Sequence, residues 1–388
     1  MARLGKVRLS LAVLVLTAIA VVSQLYLFLP VADVLAEYFD EDLSAITLLT
    51  TYFGFAYAVG FLVWGSLSDR IGRKTVLIVG LTGLATTSLL LAWAPNYTAA
   101  LALRVIQGFM ASAFPPVALA LIAESFPPAQ RMKGIAWMST AFLLAALVGQ
   151  WLGSVLVEGS LLPIMALLAT VYAISVLACS TLPGQPPQSR DSTTPTTTQN
   201  GKLTAIATNT ALWKAYAIAL VLLGSFVTLY ASLALEFGQK PIVQGVSVAT
   251  LRLLSIPCMF MPLFIGRFIA RFGAQTTAFL AVSLAAVMLF LQALLIDSPL
   301  FVVCHLIFVA SIAAAVPSVI ARVNQVSEPH FRGLAVSLYT FTLFIGASLG
   351  ASLPAQLGSA STVVMAVALS IAAFINLPRR QSSMVTAP

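Results

Sequence analysis

Stretches of about twenty apolar residues recur from one end of this chain to the other. That is the length a helix needs to cross the roughly 30 Å hydrocarbon core of a bilayer. Of the 388 residues, 60% are hydrophobic and 8% are charged, and the mean hydropathy of +1.00 is far above that of a water-soluble domain. The chain therefore reads as an all-α polytopic membrane protein, because only helices or closed barrels satisfy their backbone polar groups inside lipid. Apolar runs and the breakers between them predict twelve transmembrane helices, near 9–29, 46–66, 75–94, 99–122, 134–157, 161–181, 212–234, 247–266, 276–296, 299–321, 333–355 and 359–377.

Charge orients these segments. Seventeen of the 20 lysines and arginines fall on the side shared with the N-terminus, Lys240 falls on the other, and Arg104 and Arg252 lie within helices. The positive-inside bias predicts both termini in the cytoplasm. Arg3, Lys6 and Arg8 before an apolar run resemble a signal peptide, but the run is long and more spans follow, so it is read as an uncleaved first helix. The net charge of +8 comes in small groups between apolar runs, which is topology and not a nucleic-acid-binding stripe. Cys179, Cys258 and Cys304 lie in apolar segments without metal-ligand spacing and read as packing residues. No metal and no cofactor are expected.

The stretch PGQPPQSRDSTTPTTTQNGK has nothing to bury and marks a flexible cytoplasmic linker, residues 182–210. It separates an N-terminal six-helix bundle, 1–181, from a C-terminal one, 211–388. A shift of 201 residues lays one bundle on the other: Gly65 on Gly266, Arg70 on Arg271, Gly72 on Gly273, Arg104 on His305, Pro116 on Pro317, Arg131 on Arg332 and Gly149 on Gly350. Two pseudo-symmetric bundles follow.

After the second predicted helix comes GSLSDRIGRK, Gly65 to Lys74, with four charges in six residues. Gly65 permits close approach of a helix, and Asp69 can accept from the N-terminal end of a helix starting on the cytoplasmic side. With twelve helices and the 6+6 repeat, this motif resembles the major facilitator superfamily, in particular its bacterial drug or metabolite exporters driven by the proton gradient. The resemblance implies a conformational latch of Gly65, Asp69, Arg70, Gly72 and Arg73, with Asp69 meeting the eleventh helix near Gly333 and the arginines meeting Asp69 or acids such as Glu124. The second copy, GRFIARFGAQ, has Ala270 at the place of Asp69, so the latch is expected to be asymmetric.

LALRVIQGF, with Arg104 and Gln107, resembles the family's fourth-helix motif. A cation inside the membrane needs a partner or a task, and Arg104 is expected to face the cavity, with His305 at the equivalent place as a proton carrier. The fifth-helix segment ALVGQWLGS keeps Gly149 and Gly153 for close packing, but Gln150 stands where exporters of the family have proline; Gly346 and Gly350 form the matching ridge. The resemblance places the cavity on the first, fourth, seventh and tenth helices, which offer Gln24, Tyr26, Arg104, Gln107, Tyr216, Tyr230 and His305. No acid sits in the middle of the first helix, which leaves Asp33, Glu236 and His305 as candidates for proton coupling.

The expected function is export of a small organic molecule by proton-coupled alternating access, through a protein working as a monomer in the lipid bilayer. The cations Arg104, Arg252 and His305, with no embedded acid at their depth, favour anionic or zwitterionic metabolites, carboxylate-bearing siderophores included. The alternative, favoured by the missing proline, is an uptake symporter for a sugar, organic acid or metal chelate. An enzyme is not expected: no paired carboxylates, activated nucleophile or metal cluster is evident, and the HEXXH, GXSXG and GKS/T motifs are absent.

Overall fold

The computed structural model of the chain describes residues 2–156, 160–182, 207–238, 240–243, 245–328 and 332–378. In chain order the helices are α1 (Ala2–Ser23), α2 (Ala32–Phe39), α3 (Leu43–Ile71), α4 (Arg73–Ala92), α5 (Tyr97–Ala111), α6 (Phe114–Ser125), α7 (Pro128–Leu156), α8 (Leu162–Ser180), α9 (Thr210–Phe237), α10 (Val248–Ser255), α11 (Pro262–Phe272), α12 (Ala274–Leu294), α13 (Leu300–Val326), α14 (Arg332–Leu357) and α15 (Ala360–Ile375). Among the described residues nine spans are long and apolar enough to cross a membrane, α5 and α6 counting as one, and the bent pair α10 and α11 makes a tenth. The first and last apolar helices, Val7–Ser23 and Ala360–Ile375, are shorter. Each of the twelve predicted segments thus has a helical counterpart.

Three segments predicted as continuous are interrupted, and proline marks each place. The first span leaves α-helix after Ser23, runs through turns to a 3₁₀ turn at Leu29–Val31, and resumes as α2. Pro30 lacks an N–H and disfavours helical geometry in the residue before it. The fourth breaks at Ser112 and Ala113, ahead of Pro115 and Pro116. In the eighth, Pro257 opens a 3₁₀ turn over Ile256–Phe260 and Pro262 starts α11, with a bend of 46° between the limbs. Pro317, the repeat partner of Pro116, sits inside an uninterrupted α13. A short antiparallel hairpin, Pro241–Val243 with Val246–Ser247, lies in a loop where the sequence predicts no strand.

Side-chain caps fix several starts. Asn96 accepts from the Ala99 N–H, Ser247 from Thr250, and Asn209 from Ala211 and Leu212. Two hairpins turn on a single residue: Gly72 joins α3 to α4 with φ 94°, and Gly273 joins α11 to α12 with φ 80°. These positions are equivalent under the 201-residue shift, and each requires a backbone that side chains with a Cβ resist.

Glycine also sets helix spacing. A Cβ at Gly149 would meet the backbone of Ser23, and one at Gly350 the backbone of Gly224, again equivalent contacts in the two halves. Gly153 lies on Leu27, Gly346 on Leu220 and Gly108 on Phe53, in every case backbone against backbone. Between the halves, α3 packs on α14 and α7 on the broken eighth span. There Gly54 faces the Ser348 hydroxyl, the Tyr57 ring lies 4.7 Å from Phe344, and Thr51 donates to the Ser348 carbonyl at 3.3 Å. Outside its own helix, no described residue comes within 4 Å of a Cβ placed at Gly65; the close approaches seen among the described residues are made by other glycines.

Candidate functional site

Two buried polar clusters lie at the end of the bundle away from the N-terminus, one in each half. In the N-terminal half the centre is Arg104, with no exposed surface. It sits seven residues into α5, roughly 10 Å from the helix start. Its Nε donates to the Leu49 carbonyl at 3.2 Å, Nη2 to the Gln24 carbonyl at 3.1 Å, and Nη1 to Gln107 Oε1 at 2.6 Å and Gln24 Oε1 at 3.3 Å. Phe28 and Phe53 flank the guanidinium at 4.6 and 4.1 Å, and aromatic faces stabilise a cation that has left water. Gln107 and Gln24 both donate to Ser88 Oγ, at 2.9 and 3.4 Å. The interruption after Ser23 releases the Gln24 carbonyl from helical bonding, and Arg104 takes it up. Every nitrogen of Arg104 is held by the protein, and the cluster ties the first four spans together.

The C-terminal cluster is built around His305, also fully buried. Its Nδ1 lies 3.0 Å from Gln292 Oε1 and its Nε2 2.9 Å from the Tyr230 hydroxyl. Gln292 Nε2 donates to the Met288 carbonyl, which leaves Oε1 as acceptor and makes Nδ1 the protonated nitrogen. Tyr230 then donates to Nε2. The same hydroxyl lies 3.5 Å from Ser255 Oγ, which donates to the Leu251 carbonyl at 2.8 Å. A protonated His305 can donate to Tyr230 while Tyr230 turns to Ser255, so the network accommodates a proton without orphaning a donor.

Arg252 completes this half. It is 4% exposed and shares the inner face of α10 with Leu251 and Ser255, whereas Leu253 and Leu254 face outward. It therefore does not reach out to lipid headgroups. Its guanidinium lies 5.9 Å from the Tyr230 ring. Its Nε is buried without a hydrogen-bond partner among the described residues.

The remaining predicted residues take other places. Tyr26 is buried, and Tyr216 ties α9 to α14 by donating to the Ala335 carbonyl at 3.0 Å. Asp33 and Glu236 are exposed, which leaves His305 as the buried member of the proton-coupling set. In the GSLSDRIGRK segment, Arg73 pairs with both oxygens of Glu124, at 2.8 and 3.3 Å, and donates to Ser68 Oγ. Arg70 is exposed. The Asp69 side chain and the linker residues 183–206 lie outside the described residues. Under the 201-residue shift, Arg73, Glu124 and Ser68 fall on Ala274, Gln325 and Ile269. The ion pair therefore belongs to one half.

The sequence singles out Gln24, Gln107, His305 and Tyr230 but not the residues that complete their networks, Ser88 in one half and Ser255 and Gln292 in the other. A polar residue inside an apolar span is the signal that each of these three carries. Gln150, at the place of the family's proline, is fully buried, with Oε1 unpartnered among the described residues.

A helical membrane protein of two like halves, each holding a buried polar cluster at the same end, has the build of a solute transporter. The sequence profile of the Major Facilitator Superfamily matches residues 14–351, and the chain belongs to that superfamily. It is similar to the fatty acid resistance protein FarB of Neisseria gonorrhoeae, 33% identical over 107 residues that make 28% of this chain and 21% of that protein. It is also similar to the multidrug resistance protein MdtG of Proteus mirabilis, 32% identical over 142 residues, 34% of each chain. The matched stretches thus span between a fifth and a third of these relatives. Among solved structures, the human organic anion transporter MFSD10 aligns over 95% of this chain and 99% of its own, with TM-score 0.72 and 18% identity. A bacterial homologue of the human lysosomal transporter Spinster, inward-facing, aligns over 95% of each chain, with TM-score 0.73 and 15% identity. These two likenesses are of fold.

Proposed function

We propose that this protein exports a small organic molecule by proton-coupled alternating access, with an anionic or carboxylate-bearing metabolite, siderophores included, as the favoured cargo. The observation that carries the coupling is the His305, Tyr230 and Ser255 chain, a buried network able to hold or release a proton with its hydrogen bonds kept. Export is supported by the resistance proteins among the relatives. In this reading residues 1–181 and 211–388 are the two rocking bundles, 182–210 joins them, and both termini lie on the cytoplasmic side of the inner membrane. The protein acts as a monomer, and Gly65, Asp69, Arg70, Gly72 and Arg73 form the cytoplasmic latch.

The test is substrate-induced pH change in proteoliposomes of known orientation, screening cationic drugs, sugars and carboxylate metabolites. Proton movement opposite to substrate, abolished in His305→Gln while binding persists, is expected. Protons moving with the substrate would replace this reading with an uptake symporter for a sugar, organic acid or metal chelate. One observation favours that second reading: α7 carries Gln150 where the family's exporters have proline, and the helix runs through it unbroken.

A further inference from the structure

Four buried side-chain polar atoms lack a hydrogen-bond partner among the described residues: Tyr57 Oη, Thr140 Oγ1, Gln150 Oε1 and Arg252 Nε. They lie on α3, α7 and α10, all of which line the contact between the two halves. An unpaired polar atom in a buried place costs free energy unless something meets it, and a charge costs more. Unmet groups gathered at the moving interface of a transporter mark the path of its cargo.

Arg252 is the charged member of the set. Its contrast with Arg104 is direct: both are buried arginines at the same end of the bundle, but every nitrogen of Arg104 is engaged by the protein, whereas Arg252 makes no ion pair and no hydrogen bond among the described residues. The Tyr230 ring, 5.9 Å away, is its one aromatic neighbour among the described residues. Gln150 lies at matching depth. It is six residues from the end of α7 and Arg252 four residues from the start of α10, roughly 9 and 6 Å from that end of the bundle at helical rise. The two helices pack against each other across the interface. Gln150 Nε2 donates to the Ala146 carbonyl, so what it has to offer is an acceptor.

We infer that Arg252 is the anion-binding residue of the cargo site and that Gln150 is its companion acceptor, so that the site takes an organic carboxylate that also carries a hydroxyl or amine donor. The guanidinium fork suits a carboxylate, which accepts two parallel N–H bonds. The amide oxygen of Gln150 accepts the donor of the same molecule. This rests on the transporter reading above and narrows its substrate class.

The experiment measures equilibrium binding of radiolabelled para-hydroxybenzoate to the purified protein in nanodiscs, with benzoate, para-hydroxybenzylamine and para-hydroxybenzyl alcohol as competitors. Flux of the same compounds into proteoliposomes is followed in parallel. The expected order is para-hydroxybenzoate before benzoate, with the amine and the alcohol far weaker. Arg252→Gln should weaken the carboxylate about 10- to 100-fold, the usual range for a lost charge-assisted bond, and Arg252→Lys should weaken it less. Gln150→Leu should erase the advantage of the hydroxyl, bringing para-hydroxybenzoate down to the level of benzoate. Arg252→Lys keeps the charge and provides the reading if Arg252→Gln does not fold. The inference is overturned if no saturable carboxylate binding occurs, if the amine or alcohol competes equally, or if Arg252→Gln binds as the wild type does. Binding without flux would remove the transporter reading and keep the site; flux of the amine alone would do the reverse.

Discussion

Two arginines buried at the same end of the bundle have opposite relations to the protein around them. Removing Arg104 would strand the Gln24 carbonyl and the amide oxygens of Gln24 and Gln107 in an apolar interior, while the Leu49 carbonyl keeps its helical bond. Arg104→Gln is therefore expected to lower stability by about 3 kcal/mol, read from detergent-denaturation midpoints. Arg252→Gln removes a charge that no carboxylate compensates among the described residues, so stability should stay within about 1 kcal/mol of wild type or rise. Equal losses in the two variants would refute the distinction. At this scale the sequence exposes the charges but not their company. Arg104, Gln24, Gln107 and His305 stand out in apolar runs, but that Gln24 meets Arg104, that Ser88 receives Gln24 and Gln107, and that Gln292 meets His305 is set only where the fold brings their segments side by side.

At the scale of elements, apolar length is a good guide to where helices lie and a poor one to where they stop. The run from Leu9 to Leu29 is predominantly apolar, yet α1 ends at Ser23, because Pro30 and the demand of Arg104 for the Gln24 carbonyl are not written in hydropathy. The glycines are more legible, since the 201-residue shift by itself pairs Gly72 with Gly273 and Gly149 with Gly350. Gly72 and Gly273 both hold positive φ as one-residue joints. Gly72→Ala and Gly273→Ala should each cost roughly 1–2 kcal/mol. Thermal unfolding of the two variants checks this, and a loss confined to one of them would show that the joints are not equivalent.

For the whole molecule, duplication is evident in the sequence, but the unequal treatment of the two copies is less so. Ala270 against Asp69 hints at it; the structure adds an ion pair present in one half, Arg73 with Glu124, at 15% and 25% side-chain exposure. A pair this accessible contributes at most about 1 kcal/mol. Its effect should therefore appear in the balance between conformations and not in folding. Arg73→Glu and Glu124→Arg are each expected to reduce flux several-fold with membrane levels unchanged, and the double exchange to restore much of it. A double variant as poor as either single would mean that the pair itself is not what matters.

The glycine contacts carry a mechanical consequence. Gly149 on Ser23, Gly350 on Gly224, Gly346 on Leu220 and Gly108 on Phe53 are main chain pressed on main chain, and all lie within one half or the other. Where the halves meet, Gly54 touches a serine hydroxyl and Tyr57 touches the Phe344 ring. Main-chain contacts have no rotamers with which to yield, but hydroxyls and rings do. The molecule is thus assembled as two welded castings with a lubricated bearing between them, and the rocking proposed above would be taken up at the seam.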